Sequence, residues 1–257
     1  MNIALNGLLS CYLCTMLVKS RGIVLRNLKY GDTSLIVDIF SRELGMQSYI
    51  LNGVRKPHSR MPASLFQVMS ILDIVAYHQD KASLKRLKEA SPAYYYQELP
   101  SDMRRSASGV FLVEVLRNTL TQTENNPDLY DFVENVFTRL DQRSEDLPVF
   151  VLRALLLLTS HLGFQPGGQY SDVSPFFDLM NGIYCGSPPS HPHYLLPELA
   201  MHLQPLQEPF DTAIIPPGLH SVQRRQLLTG LLDYYRLHLP HFQEPRSQAI
   251  LHQVLSI

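Results

Sequence analysis

"LVKSRGIVLRNLKYGDTSLIVDIFSRELGMQSYILN", residues 17–52, decides the fold. It reads as three β-strands (17–26, 33–40 and 46–52) separated by the turns "KYGD" and "ELG". In the second run Leu35, Val37 and Ile39 alternate with Ser34, Ile36 and Asp38, the period of two that a strand requires. Several runs are apolar on both parities, as in a small closed barrel with one covered side. Working outward, a basic loop, "LNGVRKPHSRM" (51–61), leads to two more strand-like runs, "FQVMSILDIVAYH" (66–78) and "SLKRLKE" (83–89). Five strands over about 75 residues is the size of an OB-type barrel, a fold that often binds nucleic acids or saccharides.

Beyond "SPAYYYQELP" the apolar period changes from two to 3.6. Ser101 is placed to cap "DMRRSASGVFLVEVLRNTL", and Asn126-Pro127 opens "DLYDFVENVFTRLDQ". Residues 147–164 are apolar nearly all round and read as a buried central helix. Further helices are expected over 222–239 and 246–255. The expected fold class is α+β with two domains: an N-terminal five-stranded OB-type β-barrel (16–96), then an all-α helical domain (97–257) with a loop-rich insert at 165–192. Residues 1–15 carry no charged side chain, and Leu8-Leu9-Ser10-Cys11 lacks the basic leader of a signal peptide. The segment reads as an extension without function.

Charge is divided between the two parts. Residues 16–96 hold twelve Lys and Arg against six acids, a net of +6. From residue 97 onward there are ten Arg, no Lys and 17 acids, a net of −7. A basic barrel joined to an acidic helical part points to an anionic partner for the barrel. Three cysteines, Cys11, Cys14 and Cys185, cannot form a disulfide framework and suit a reducing compartment. The longest apolar run, Val149 to Leu158, is interrupted by Arg153 and falls short of the roughly 20 residues that span a bilayer. A cytoplasmic, nucleoid-associated protein without a membrane segment is expected.

The DNA-binding candidates are Arg55, Lys56 and Arg60 in the loop, Lys19, Arg21, Arg26 and Lys29 on and after the first strand, and Lys81, Lys85, Arg86 and Lys88 around the last. In a five-stranded barrel these segments can border one groove, where cations displace the counterions of a phosphate backbone. A solvated hairpin tip is the plainer reading of the loop. Tyr30, Tyr49 and Phe66 are candidates for stacking on bases or for barrel core. Cys185, His191 and His193, with His202, could supply zinc donors, but a rigid loop over the helices is the stronger reading, and no metal or other cofactor is expected. Phosphate-loop, nucleophile-elbow, metalloprotease and dinucleotide fingerprints are all missing, so the chain reads as a binding protein rather than an enzyme.

Residues 16–55, with "RGIVL", "YGDTSLIV" and the glycine and arginine of "LNGVR", resemble the opening of the RecO family of bacterial recombination mediators. The later stretches "FLVEVL", "HLGFQP", "FFDLMNGIY" and "YYRLHLPHFQEPRS" agree in order and spacing. The resemblance implies an OB fold followed by helices. It implies binding of single- and double-stranded DNA, annealing of complementary strands, and assistance to RecA loading together with RecR. It also implies contact with the acidic C-terminal tail of single-stranded DNA-binding protein. Arg104-Arg105 and Arg224-Arg225 are candidates for capturing that tail's carboxylates, because guanidinium groups bind carboxylates bidentately. They could equally balance the acids of their own domain. Some members carry a four-cysteine zinc site, whereas here only Cys185 lies in that region. An OB module for structured RNA and an adaptor for an acidic protein remain as alternatives.

Overall fold

The computed structural model describes residues 16–78, 84–120, 125–142, 146–211 and 215–255. Strands β1 (Met16–Tyr30), β2 (Ser34–Ser41), β3 (Gly45–Leu51), β4 (Ile71–His78) and β5 (Leu87–Pro92) form an antiparallel sheet in the order β3-β2-β1-β4-β5. A parallel bridge between Tyr49 and Lys85 closes it, with Lys85 N–H donating to Ser48 O (2.9 Å) and Ile50 N–H to Lys85 O (2.9 Å). This is the expected five-stranded OB-type barrel.

β1 is the organising strand. Its first half pairs with β4 and its second half with β2, and a register shift between Val24 and Arg26 bends it from one to the other. Consecutive Ile23, Val24 and Leu25 are all buried, because one face fills the barrel and the other packs on the helices. That two-sided burial explains the apolar residues on both parities.

Two strands differ from expectation. The run 66–78 divides into a 3-10 turn (Ala63–Phe66) and β4, with Met69 between them at φ 75. Met69 is held there by its N–H to Val24 O (2.7 Å) and by Tyr96 Oη–H to its own carbonyl (2.8 Å). β5 begins at Leu87 rather than at 83, since the preceding residues are used in barrel closure.

Helices α1 (Met103–Thr119), α2 (Pro127–Gln142), α3 (Leu147–His161), α4 (Pro197–Ala200), α5 (Leu203–Leu206), α6 (Ser221–His238) and α7 (Gln248–Leu255) build the second part. The cap of α1 is Asp102, not Ser101: its carboxylate accepts from Arg104 and Arg105 N–H, a stronger acceptor than a hydroxyl. Asn126 caps α2 as expected, accepting from Leu129 N–H (3.0 Å). α3 is buried nearly all round, and its one charge, Arg153, is satisfied by the carbonyls of Pro205 (3.1 Å) and Glu208 (2.8 Å).

The segment 165–192 is not merely loop. It contributes β6 (Phe176–Asp178) and β7 (Ile183–Cys185), and β6 pairs with both β7 and β8 (Tyr194–Leu195) in a three-stranded sheet. Strands of two or three residues are too short to show a period. Among the described residues no helix is long and apolar enough to cross a membrane.

The barrel interior has its own core, built around Val24, Val37, Ile39, Tyr49 and Phe66, and a second face of the barrel packs into the core of the helices. Ile23, Leu25, Phe40, Met69 and Ile71 join the helical cluster, and Phe40 meets Tyr130 with ring centroids 5.7 Å apart. The linker between them is fixed by Asp141, which is 1% exposed. Its carboxylate accepts from Tyr94 Oη–H (2.9 Å) and from the N–H groups of Gln97 (3.0 Å), Glu98 (2.9 Å) and Leu99 (2.8 Å).

Candidate nucleic-acid interface

The predicted cations separate into three groups rather than bordering one groove. The first gathers at the end of the barrel where the β1–β2 hairpin meets the basic loop. Gly53, at φ +71, turns the chain out of β3, and Arg55 N–H then donates to Thr33 O (3.0 Å). Arg55 also reaches Gly31 O through Nη1 (3.3 Å), and Ala63 N–H returns to Val54 O (2.9 Å), closing the loop on the hairpin. Lys29, Tyr30, Arg55, Lys56 and Arg60 are exposed there. Among the described residues Lys29, Lys56 and Arg60 carry no ion pair. Such cations keep their whole charge for an external anion.

Beyond the bulge Arg26, Leu28 and Tyr30 lie opposite Asp38, Ile36 and Ser34, so they share one face of the sheet. Leu28 is 46% and Tyr30 54% exposed. This apolar and aromatic strip runs beside the free cations and suits unpaired bases. Arg26 is less available, because its guanidinium pairs with Asp38, which Ser48 also bonds. Tyr49 and Phe66 are fully buried in the barrel and cannot stack on bases. Burial also drives the Tyr49 phenol well above its ordinary pKa, so it stays neutral.

The second group lies at the other end of β1. Lys19 and Arg21 line a cleft of about 1070 Å³ between the barrel and α2, together with Arg42, which sequence reasoning did not single out. Arg21 pairs with Glu134 (2.6 Å) and approaches Asp73 (3.5 Å). Arg42 holds Asp131 through two bonds, Nε to Oδ1 (2.7 Å) and Nη2 to Oδ2 (2.9 Å). The hydrogen-bonded guanidinium keeps the Asp131 carboxyl below the usual range. Arg42 sits in a charged turn like many others, so nothing in the sequence marked it.

The third group flanks β5. Lys85 is only 8% exposed and serves barrel closure, while Arg86 and Lys88 are exposed, Lys88 beside Glu89 (3.6 Å). Lys81 and residues 1–15 lie outside the described residues.

In the helical part the arginine pairs are partly spent on the fold. Arg105 is bound to Asp102 (3.3 Å) and to Leu140 O, and Arg224 to Asp146 (3.0 Å) and Leu219 O (2.9 Å). Arg104 and Arg225 are exposed. A different arginine, Arg139, stands in an apolar pocket of about 220 Å³ walled by Phe132, Leu157, Pro209 and Phe210. Its Nε donates to Asn135 (2.9 Å) and its Nη2 to Asp211, while Nη1 is buried without an acceptor among the described residues. His161 lines the same pocket, and burial lowers its pKa, against a smaller opposing effect of Asp128. It is therefore neutral at pH 7.

Cys185, His191, His193 and His202 do not converge. His191 Nε2 lies 3.3 Å from Asp178, whose carboxylate is already held by Met180 N–H (2.8 Å) and by the Asn181 side chain (2.7 Å). Among the described residues no three His, Cys, Asp or Glu are grouped to hold a metal. The purified protein is therefore expected to contain well under one equivalent of zinc, and Cys185→Ser to leave its melting temperature unchanged. Stoichiometric zinc lost on that substitution would contradict this.

Comparison with known proteins supplies the lineage. The family model described as "Recombination protein O N terminal" matches residues 16–96, and "Recombination protein O C terminal" matches 100–248. The "DNA repair protein RecO" of Phocaeicola vulgatus is 32% identical over 241 residues, covering 94% of this chain and 100% of that one. Those of Christiangramia forsetii and Flavobacterium johnsoniae are 34% identical, over 242 and 250 residues. The alignments cover 93% and 94% of this chain and 99% and 100% of theirs. With both halves matched in order and relatives aligned nearly end to end, the chain belongs to the RecO family.

Proposed function

We propose that this chain is a non-enzymatic recombination mediator in DNA repair. In this reading it binds single- and double-stranded DNA without sequence preference and anneals complementary strands. The observation that carries the reading is the hairpin end of the barrel, where Lys29, Lys56 and Arg60, without an ion pair among the described residues, flank exposed Tyr30. The cations neutralise phosphates and release counterions. The exposed strip of β1 offers a surface for bases, each stacking contact being worth about 1–3 kcal/mol. Annealing needs no catalytic group. Screening the repulsion between two polyanions is enough, because base pairing supplies the driving force.

Salt-titrated binding of the full chain to labelled single-stranded DNA, duplex DNA and RNA tests the reading, together with annealing of complementary oligonucleotides. Log affinity for single strands should fall linearly with log salt, by about 0.7 per phosphate contacted. No DNA binding at about 50 mM salt would overturn it, and binding to RNA alone would favour the RNA alternative.

Partnership with RecR, RecA loading and capture of the single-strand-binding protein's tail complete the proposal on the strength of the family. For the tail, the Arg139 pocket suits the chemistry better than either arginine pair. It joins an aromatic wall to a buried guanidinium N–H that has no partner among the described residues. A terminal carboxylate beside an apolar side chain would meet both needs. Arg139→Ala is expected to weaken binding of a labelled tail peptide at least about tenfold, as loss of a charge-assisted hydrogen bond implies. DNA affinity should stay unchanged. Undiminished peptide binding would move the site elsewhere.

A further inference from the structure

We infer that the barrel wall of the cleft, formed by Lys19, Arg21 and Arg42, is a second phosphate-binding surface, and that Asp131 and Glu134 of α2 occupy it in place of phosphates. The inference rests on the DNA-binding reading above and adds a gate to it.

The geometry is that of a stand-in. Asp131 and Glu134 are three residues apart on α2, so they project from one helical face about 5–6 Å from each other. Each meets a different arginine of the barrel, Arg42 from the start of the β2–β3 turn and Arg21 from β1. The Arg42–Asp131 contact is bidentate, the form a guanidinium also takes with a phosphate. The pairs are not buried braces. The side chains of Arg21, Arg42 and Asp131 are 49%, 42% and 51% exposed, and only Glu134, at 19%, is more enclosed. Exposed pairs of this kind contribute little to stability. The junction is held instead by the shared apolar core and by Phe40 against Tyr130. Exchanging a carboxylate for a phosphate therefore leaves the junction intact, and the cleft of about 1070 Å³ provides space beside these groups.

Position gives the surface a use. Arg21 and Tyr30 stand nine residues apart on β1, roughly 30 Å along an extended strand. The open surface at the hairpin end and the gated one in the cleft are thus separate places on one barrel. An annealing protein must hold two strands. A site closed by weak internal carboxylates admits the second polyanion only where its local concentration is high, and so limits indiscriminate binding.

The test is the full-length Asp131→Asn/Glu134→Gln variant, which keeps shape and removes the two carboxylates of α2, leaving, among the described residues, only the longer contacts of Arg21 with Asp73 (3.5 Å) and of Arg42 with Glu43 (3.7 Å). Its affinity for a single-stranded oligonucleotide should rise at least about fivefold at about 50 mM salt. The slope of log affinity against log salt should steepen by about 0.7 for each arginine released, about 1.4 in all. Adding Arg21→Gln and Arg42→Gln should cancel both gains. The variant Asp172→Asn/Glu198→Gln, which removes two exposed acids elsewhere on the helical part, should leave the slope unchanged. If the double variant unfolds, Asp131→Asn alone serves, with half the slope change. A folded variant with the parent's slope overturns the gate. So does an equal gain from the Asp172/Glu198 variant, which would make it a net-charge effect. A parent protein that binds no DNA would instead defeat the underlying function, so the two failures are distinguishable.

Discussion

Replacing Lys29, Lys56 and Arg60 together with glutamine is expected to lower single-strand affinity about 100-fold at about 0.1 M salt, with the fold unchanged. The magnitude follows from counterion release. Three lost contacts at about 0.7 each flatten the salt slope by about 2, and at about 0.1 M each unit of slope is worth about tenfold. All three side chains are exposed and carry no ion pair within the described chain, so their loss breaks no ion pair there. Arg55 is left in place because its N–H and Nη1 fasten the loop to Thr33 and Gly31. Fluorescence anisotropy at four salt concentrations measures both quantities. The loss should be alike for every sequence, since phosphates carry none. An unchanged slope in the folded variant would show that the hairpin end does not meet the backbone.

Asp141→Ala is expected to cost about 2–4 kcal/mol of stability and to lower the melting temperature by roughly 5–15 °C. The substitution strips the acceptor from three consecutive N–H groups, of which that of buried Leu99 has no easy access to water, and from the Tyr94 hydroxyl. Asp141→Asn keeps one acceptor oxygen and should lose about half as much. The same node gives a pH dependence. Burial pushes the Asp141 carboxyl upward, but the N–H groups of Leu99, Gln97 and Glu98 and the Tyr94 hydroxyl outweigh it and hold the pKa below the ordinary aspartate value. A depressed pKa means that the contribution is present above about pH 4 and is lost as pH falls through the folded value. Thermal melts between pH 3 and 7 should therefore show a shallower acid decline in Asp141→Asn than in the parent. Parallel declines would assign the acid sensitivity to other groups.

Much of the architecture was legible because periodicity is local. Alternation in 33–40, the glycine turns and the change to a period of 3.6 after Tyr96 each register within a few residues, and they mark the barrel and its helices. The division of charge was legible too, as a count. Where expectation and structure part, a contact distant in sequence is responsible. Met69 interrupts the fourth run because Val24 and Tyr96 hold its backbone. Lys85 leaves the strand to bridge β3.

By itself the sequence determined a basic five-stranded barrel followed by acidic helices, and it placed the cations on particular segments. Only the tertiary structure decided which cations are available. Among the described residues Lys29, Lys56 and Arg60 carry no ion pair at the hairpin end, whereas Arg21 and an unsuspected Arg42 are met by carboxylates more than 80 residues further along the chain. It also showed that Arg105 and Arg224 are consumed by Asp102, Asp146 and backbone carbonyls, whereas Arg139 lines an apolar pocket. The physical reason is the same in each case. A charge is a property of one residue, but its availability is set by neighbours that folding brings within a few ångströms, and an ion pair across 89 residues leaves no trace in the local pattern.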